Sequence, residues 1–125
     1  MVCGFTSTRA ASSLRERPRS VRKIWMRLLI IGDNTKIQSH SFICELVNIG
    51  NDCFIGHGVM FVNDLFSNGG PANGNKVLWK ETHIGNNVSI GSNATILPIN
   101  ICDNVVIGAG SVVTKNISKP GIYAG

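Results

Sequence analysis

Residues 84–113 read IGNNVSIGSNATILPINICDNVVIGAGSVV, and their spacing decides the fold. Ile84, Ile90 and Ile96 stand six apart; the beat then loses one residue and resumes at Ile101, Ile107 and Val113. Upstream, Ile31, Ile37, Ile43, Ile49, Ile55 and Phe61 keep the six-residue step without a slip. A second row stands four residues after most anchors: Thr35, Ser41, Val47, Cys53 and Val59, then Val88, Ala94, Val105, Ser111 and Ile117. Most of these are small or β-branched. Strand side chains alternate sides, so the residue two before an anchor points the same way as the anchor, and both rows can face one interior. Between the rows come Gly32, Asp33 and Asn34; Gly50, Asn51 and Asp52; Gly85, Asn86 and Asn87; Asp103 and Asn104. Gly and Asn tolerate the left-handed conformations that sharp corners need.

A six-residue beat does not fit the 3.6-residue turn of an amphipathic helix, and an antiparallel sandwich needs longer strands. The pattern predicts an all-β solenoid in which three hexads close one triangular coil. The anchors then stack in three columns: Ile31, Ile49, Ile84 and Ile101; Ile37, Ile55, Ile90 and Ile107; Ile43, Phe61, Ile96 and Val113. About four coils at the ~4.8 Å strand spacing give a prism roughly 19 Å tall. One interruption breaks the beat. Between Phe61 and Ile84 lie 23 positions instead of 6, a long loop inserted near residues 65–82 and rich in Gly, Asn and Pro. Long loops that leave a rigid scaffold commonly carry function.

Composition sets the remaining bounds. The 125 residues suffice for one domain, and no stretch approaches the ~20 apolar residues of a membrane span. The net charge of +5 is concentrated at the start of the chain: seven of the twelve basic residues precede residue 28. From there onward five basic residues face six acidic ones, so most of the chain offers no basic surface for nucleic acid. Residues 1–28 are expected to form a poorly ordered or accessory basic leader, and residues 29–125 the solenoid domain. A nucleic-acid-binding arm or an organelle-targeting peptide are the alternatives for the leader. Cys3, Cys44, Cys53 and Cys102 lack both CxxC pairing and zinc-finger spacing. Free thiols in a reducing compartment, and hence a cytoplasmic protein, are expected.

The hexads IGDNTK, IGNDCF, IGNNVS, IGSNAT and IGAGSV resemble the repeat of the left-handed parallel β-helix (hexapeptide-repeat) acyltransferase family. SIGSNATILPINICDNVVIGAGSVVTKNI and FIGHGVMFVNDLF are similar to its nucleotide-amino-sugar N-acetyltransferases. That resemblance implies a homotrimer with active sites at subunit interfaces, acetyl-CoA as co-substrate and a nucleotide-sugar substrate. It carries cofactor contacts onto Gly91, Ala94, Ala109 and Lys115, with the lysine suited to a CoA phosphate. Departures are plain. Gly85 and Asn86 stand where relatives carry a basic pair, the ILPIN turn is one residue short, and the sequence ends at YAG where relatives continue.

Acetyl transfer to an amine needs a neutral nitrogen, alignment and a stabilised oxyanion, and a general base helps if the amine arrives protonated. His57 falls at a solenoid corner just before Asn63 and Asp64, and these three are the catalytic candidates. Asn63 would hydrogen-bond the sugar amine or a carbonyl, and Asp64 would attract an ammonium. Substrate contacts are expected from His40, Lys80 and His83. The three histidines occupy different hexad phases and do not converge as a zinc site requires, so no metal is expected. O-acetylating relatives place a histidine near Phe66, which leaves positioning, with thiolate as proton acceptor, as the other mechanism. O-acetylation of a sugar or serine, and a non-catalytic ligand-binding solenoid, remain alternative functions.

Overall fold

The computed structural model describes residues 28–125, so the expected basic leader lies, apart from Leu28, outside the described residues. In chain order the strands are β1 (Ile30–Ile31), β2 (Lys36–Ile37), β3 (Val47–Ile49), β4 (Phe54–Ile55), β5 (Met60–Phe61) and β6 (Thr82–Ile84). They continue as β7 (Ser89–Ile90), β8 (Thr95–Ile96), β9 (Asn100–Ile101), β10 (Val105–Ile107), β11 (Val112–Val113) and β12 (Gly121–Tyr123). All are two or three residues long because a corner follows each inward anchor.

The strands stack into the three faces of a prism. The first face runs β1-β3-β6-β9, the second β2-β4-β7-β10-β12 and the third β5-β8-β11. Every strand pair is parallel, and the register matches anchor to anchor: Ile31 with Ile49, Ile49 with Ile84, Ile84 with Ile101. Ile37, Ile55, Ile90 and Ile107 form the second column, and Phe61, Ile96 and Val113 the third. The eighteen-residue stacking read from the sequence is therefore the observed one. This is the left-handed parallel β-helix expected for such a repeat. The chain also begins a fifth coil. Ile117 bridges to Ile101, and β12 sets Tyr123 beside Ile107, so the terminal KPGIYAG adds a strand beyond the four coils expected.

Both inward rows form one apolar column. Ile43, Ile55, Ile90 and Ile96 are fully buried, as are Val47, Val59, Val88, Ala94 and Val105 of the second row. Each buried isoleucine contributes about 1.5–3 kcal/mol of transfer free energy. Polar members of the second row are satisfied by the neighbouring coil. Thr35 Oγ1 donates to Gly50 O at 2.8 Å and Ser41 Oγ to Gly56 O at 2.8 Å. Cys53 is nearly inaccessible; burial pushes its thiol up, and the protonated sulfur lies 3.2 Å from Gly85 O. Cys44, Cys53 and Cys102 are all free thiols.

Thr82 breaks this rule. It is fully buried opposite Val47, and its Oγ1 has no hydrogen-bond partner. An orphaned buried hydroxyl costs about 1–3 kcal/mol. Thr82→Val is expected to stabilise the fold by about 1 kcal/mol in urea denaturation; a destabilisation of that size would show that the hydroxyl is satisfied.

The three edges differ. On the first edge, between the first and second faces, side chains stitch coil to coil. Asn51 Oδ1 accepts from Asp33 N at 2.7 Å, Asn86 Oδ1 from Asn51 N at 2.8 Å, and Asp103 Oδ1 from Asn86 N at 2.7 Å. Asn34, Asp52, Asn87 and Asn104 turn these corners at positive φ, the conformation Asn and Asp adopt most readily outside Gly. The second edge, between the second and third faces, turns at His40, Gly58, Asn93 and Gly110, again at positive φ. On the third edge the hexad fails repeatedly: the anchor spacing there is 23, then 5, then 4 residues.

Candidate functional site

The residues singled out from sequence fall on two different edges. His57 lies on the second edge, exposed. Its ring Nδ1 is 3.1 Å from Ser39 Oγ in the coil before, and its carbonyl accepts from Asn93 N at 2.8 Å. His40 is exposed at the adjacent corner position, with φ 63. Gly91 and Ala109 continue this edge along the solenoid. A Cβ at Gly91 would sit 2.5 Å from Ala109 N, so only glycine lets these two coils pack. Ala109 is exposed, and no other group among the described residues engages its backbone N–H or C=O. Those amide groups suit a linear amide-bearing chain laid along the edge. Ala94 is placed differently: its methyl is fully buried and its carbonyl accepts from Met60 N at 2.9 Å.

The remaining candidates line the third edge, or flank it on the first face. Asn63 is half-buried, and its Nδ2 donates to Glu45 O at 3.2 Å. Lys80 N donates to Asn63 O at 2.9 Å and pinches the base of the loop, leaving the lysine exposed. Asp64 Oδ1 accepts from Phe66 N at 3.0 Å and Oδ2 from Ala72 N at 2.7 Å, so both carboxylate oxygens staple the loop. Asp64→Ala is expected to speed trypsin cleavage after Lys80 by about tenfold, since two charge-assisted bonds hold the loop closed. An unchanged digestion rate would remove Asp64 as the staple. Lys115 is exposed further along the same edge, in a groove of about 260 Å³ lined by Ile107, Ser111 and Tyr123 among others.

His83 projects from the first face. Its Nε2 is 3.0 Å from Glu81 Oε2, and its Nδ1 is 3.4 Å from Asn48 Nδ2. A carboxylate accepts and an amide NH₂ donates, so this pairing suits a proton on Nε2 and occupies both ring nitrogens. His57 has one nitrogen engaged and one open to a substrate. Among the described residues no cluster of three or more His, Cys, Asp or Glu side chains could hold a metal ion. Six residues of extended chain, about 20 Å, separate His57 from Asn63 across the third face. One copy therefore does not bring His57 together with Asn63 and Asp64.

Sequence reasoning missed the partners: Ser39 for His57, Glu81 and Asn48 for His83, and the loop-base group of Glu45, Lys76 and Trp79. Lys76 Nζ lies 3.1 Å from Glu45 Oε1 and 5.4 Å from the Trp79 ring centroid. Ser39 was within reach, because it precedes His57 by one eighteen-residue coil.

Comparison with known proteins agrees with the repeat architecture. The family model described as "Hexapeptide repeat of succinyl-transferase" matches residues 81–115, the stretch that holds β6 to β11 in register. The chain carries the hexapeptide repeat. This hexapeptide-repeat chain is 38% identical over 96 residues to a bifunctional protein GlmU of Streptococcus uberis, covering 76% of itself and 19% of that relative. A maltose O-acetyltransferase from Clostridium difficile 630 superposes with TM-score 0.66 at 30% identity, covering 78% of this chain and 54% of that one. A serine acetyltransferase isoform 3 from Entamoeba histolytica, in complex with cysteine, gives TM-score 0.61 at 30% identity, with 77% and 32% covered. The hexapeptide-repeat chain thus spans about a fifth of the curated relative and about half of the maltose O-acetyltransferase. Among its described residues no helix is long and apolar enough to cross a membrane.

Proposed function

We propose that the protein is an acetyl-CoA-dependent acetyltransferase acting on the amine of a nucleotide-linked amino sugar in the cytoplasm. The observation that carries the reading is His57: an exposed imidazole, fixed at Nδ1 and open at Nε2, on an edge lined by Gly91 and Ala109. Acetyl transfer is the activity in the names of both solved relatives at 30% identity.

On this reading acetyl-CoA supplies the thioester carbonyl that the amine attacks. The exposed amide groups of Ala109 hydrogen-bond the pantetheine, Gly91 keeps the edge low beside it, and Lys115 offers its ammonium to a CoA phosphate. Ala94 serves only by filling the core beneath. His57 Nε2 takes the proton the amine loses as the C–N bond forms, and returns it to the sulfur as the C–S bond breaks. Asn63, Lys80 and His40 contribute substrate contacts, and His83, whose ring nitrogens are taken by Glu81 and Asn48, stays outside them. Asp64 keeps the loop in shape and adds a negative charge that draws an ammonium.

Because His57 and the loop residues stand about 20 Å apart in one copy, the site is completed between copies. A homotrimer brings the second edge of one subunit to the loop edge of the next. Exposed apolar residues on the second and third faces, Phe54, Met60, Val106 and Val112, support such packing. The maltose O-acetyltransferase likeness favours a second reading, transfer to a sugar hydroxyl.

Thiol release from acetyl-CoA, measured across nucleotide-linked amino sugars, plain sugars and serine, separates these readings. Turnover confined to amino sugars is expected. Turnover only on hydroxyl acceptors favours O-acetylation, and bound acetyl-CoA with no turnover on any acceptor sinks the enzyme reading.

A further inference from the structure

The Ser39–His57 pair answers a question that the position of His57 alone leaves open: whether the ring takes a proton or gives one. Ser39 and His57 occupy neighbouring coils on the second edge, eighteen residues apart, with Oγ to Nδ1 at 3.1 Å. The contact is one-sided. By the register that pairs Ile55 with Ile90, Ser92 is the corresponding residue in the next coil, yet it makes no hydrogen bond to the ring. The imidazole is therefore tied through Nδ1 to the coil before it and not to the coil after it.

We propose that Ser39 is the positioning residue of His57: its hydroxyl accepts from Nδ1–H, fixes that tautomer and leaves the Nε2 lone pair facing outward. A serine hydroxyl can donate or accept, and the two directions have opposite consequences. With Ser39 donating, the neutral ring carries its proton on Nε2 and can only offer a hydrogen bond to substrate. With Ser39 accepting, Nε2 is a base. When Nε2 then takes the amine proton, Nδ1–H still points at Oγ, so the same bond serves the neutral ring and the imidazolium without rotation. The serine proton, on an exposed hydroxyl, goes to solvent. The tautomer is a property of the protein alone; its catalytic consequence rests on the acetyltransferase reading above.

Long-range ¹H–¹⁵N correlation on histidine-labelled protein, at alkaline pH where imidazole is neutral, reads the tautomer directly. The expected result is a protonated Nδ1 and an unprotonated Nε2 for His57. Ser39→Ala should give a mixture of tautomers, and Ser39→Thr should restore the single one. In turnover, Ser39→Ala should lower kcat by about tenfold with KM for acetyl-CoA within about twofold, and Ser39→Thr should recover most of the rate. An unprotonated Nδ1 in the unaltered protein, or the same tautomer population in Ser39→Ala, overturns the proposal. A tautomer shift in Ser39→Ala with unchanged kcat overturns its role in the reaction. Should the unaltered protein turn over no acceptor, the acetyltransferase reading falls, and the tautomer measurement still decides for or against Ser39.

Discussion

His57→Asn is expected to lower kcat by about 10²–10⁴-fold while the protein keeps its fold. The side chain is exposed and its ring makes one hydrogen bond, so its loss should change stability by no more than about 0.5 kcal/mol. Asparagine keeps a polar group of similar reach at the corner but cannot take a proton. Affinity for acetyl-CoA, measured by calorimetry, should be retained, because the amides assigned to the pantetheine belong to the next coils. A kcat within about threefold of the unaltered protein would mean that the departing thiolate is the proton acceptor and that the site works by alignment alone.

Gly91→Ala is expected to cost about 3 kcal/mol and lower the Tm by more than about 10 °C. The added Cβ would meet Ala109 N at 2.5 Å, Ala109 Cα at 2.8 Å and Gly108 C at 2.9 Å. All three are backbone atoms of the next coil, so no side-chain rotation relieves the contact. The coils themselves must part, and with them the stack of Ile90 on Ile107. Gly70→Ala is the matched control, since nothing lies within 4 Å of its Cβ position. Equal melting temperatures for the two variants would show that the corner has slack.

The fold was legible in the sequence to an unusual depth because hexad and coil period are both short. Each isoleucine anchor states its face, and eighteen residues later its neighbour: Ile37 predicts Ile55, which predicts Ile90 once the loop is removed. The fifth coil was harder to read because Val113 to Ile117 is a four-residue step, and Tyr123 replaces the aliphatic anchor. The site was legible as a set of residues but not as an arrangement. Periodicity places His57 and Asn63 in consecutive hexads and so at different corners of the prism, a separation that grouping them as one catalytic set passes over. Residue type does not reveal that Asp64 spends both oxygens on its own loop, or that Glu81 and Asn48 occupy His83. Those facts depend on side-chain torsions, which no repeat encodes.

The unequal edges bear on how such a chain can change over evolutionary or engineered time. Along the first edge Asn51, Asn86 and Asp103 each cap an amide of a neighbouring coil, so an inserted residue there would break two coils at once. The second edge is tied by the close approach of Gly56 and Gly91 to the coils beyond them. The third edge alone accommodates turns of unequal length, and it carries the 62–81 loop. New specificity can therefore be grafted at this edge, by lengthening or exchanging loops, without shifting any strand of the scaffold that holds His57.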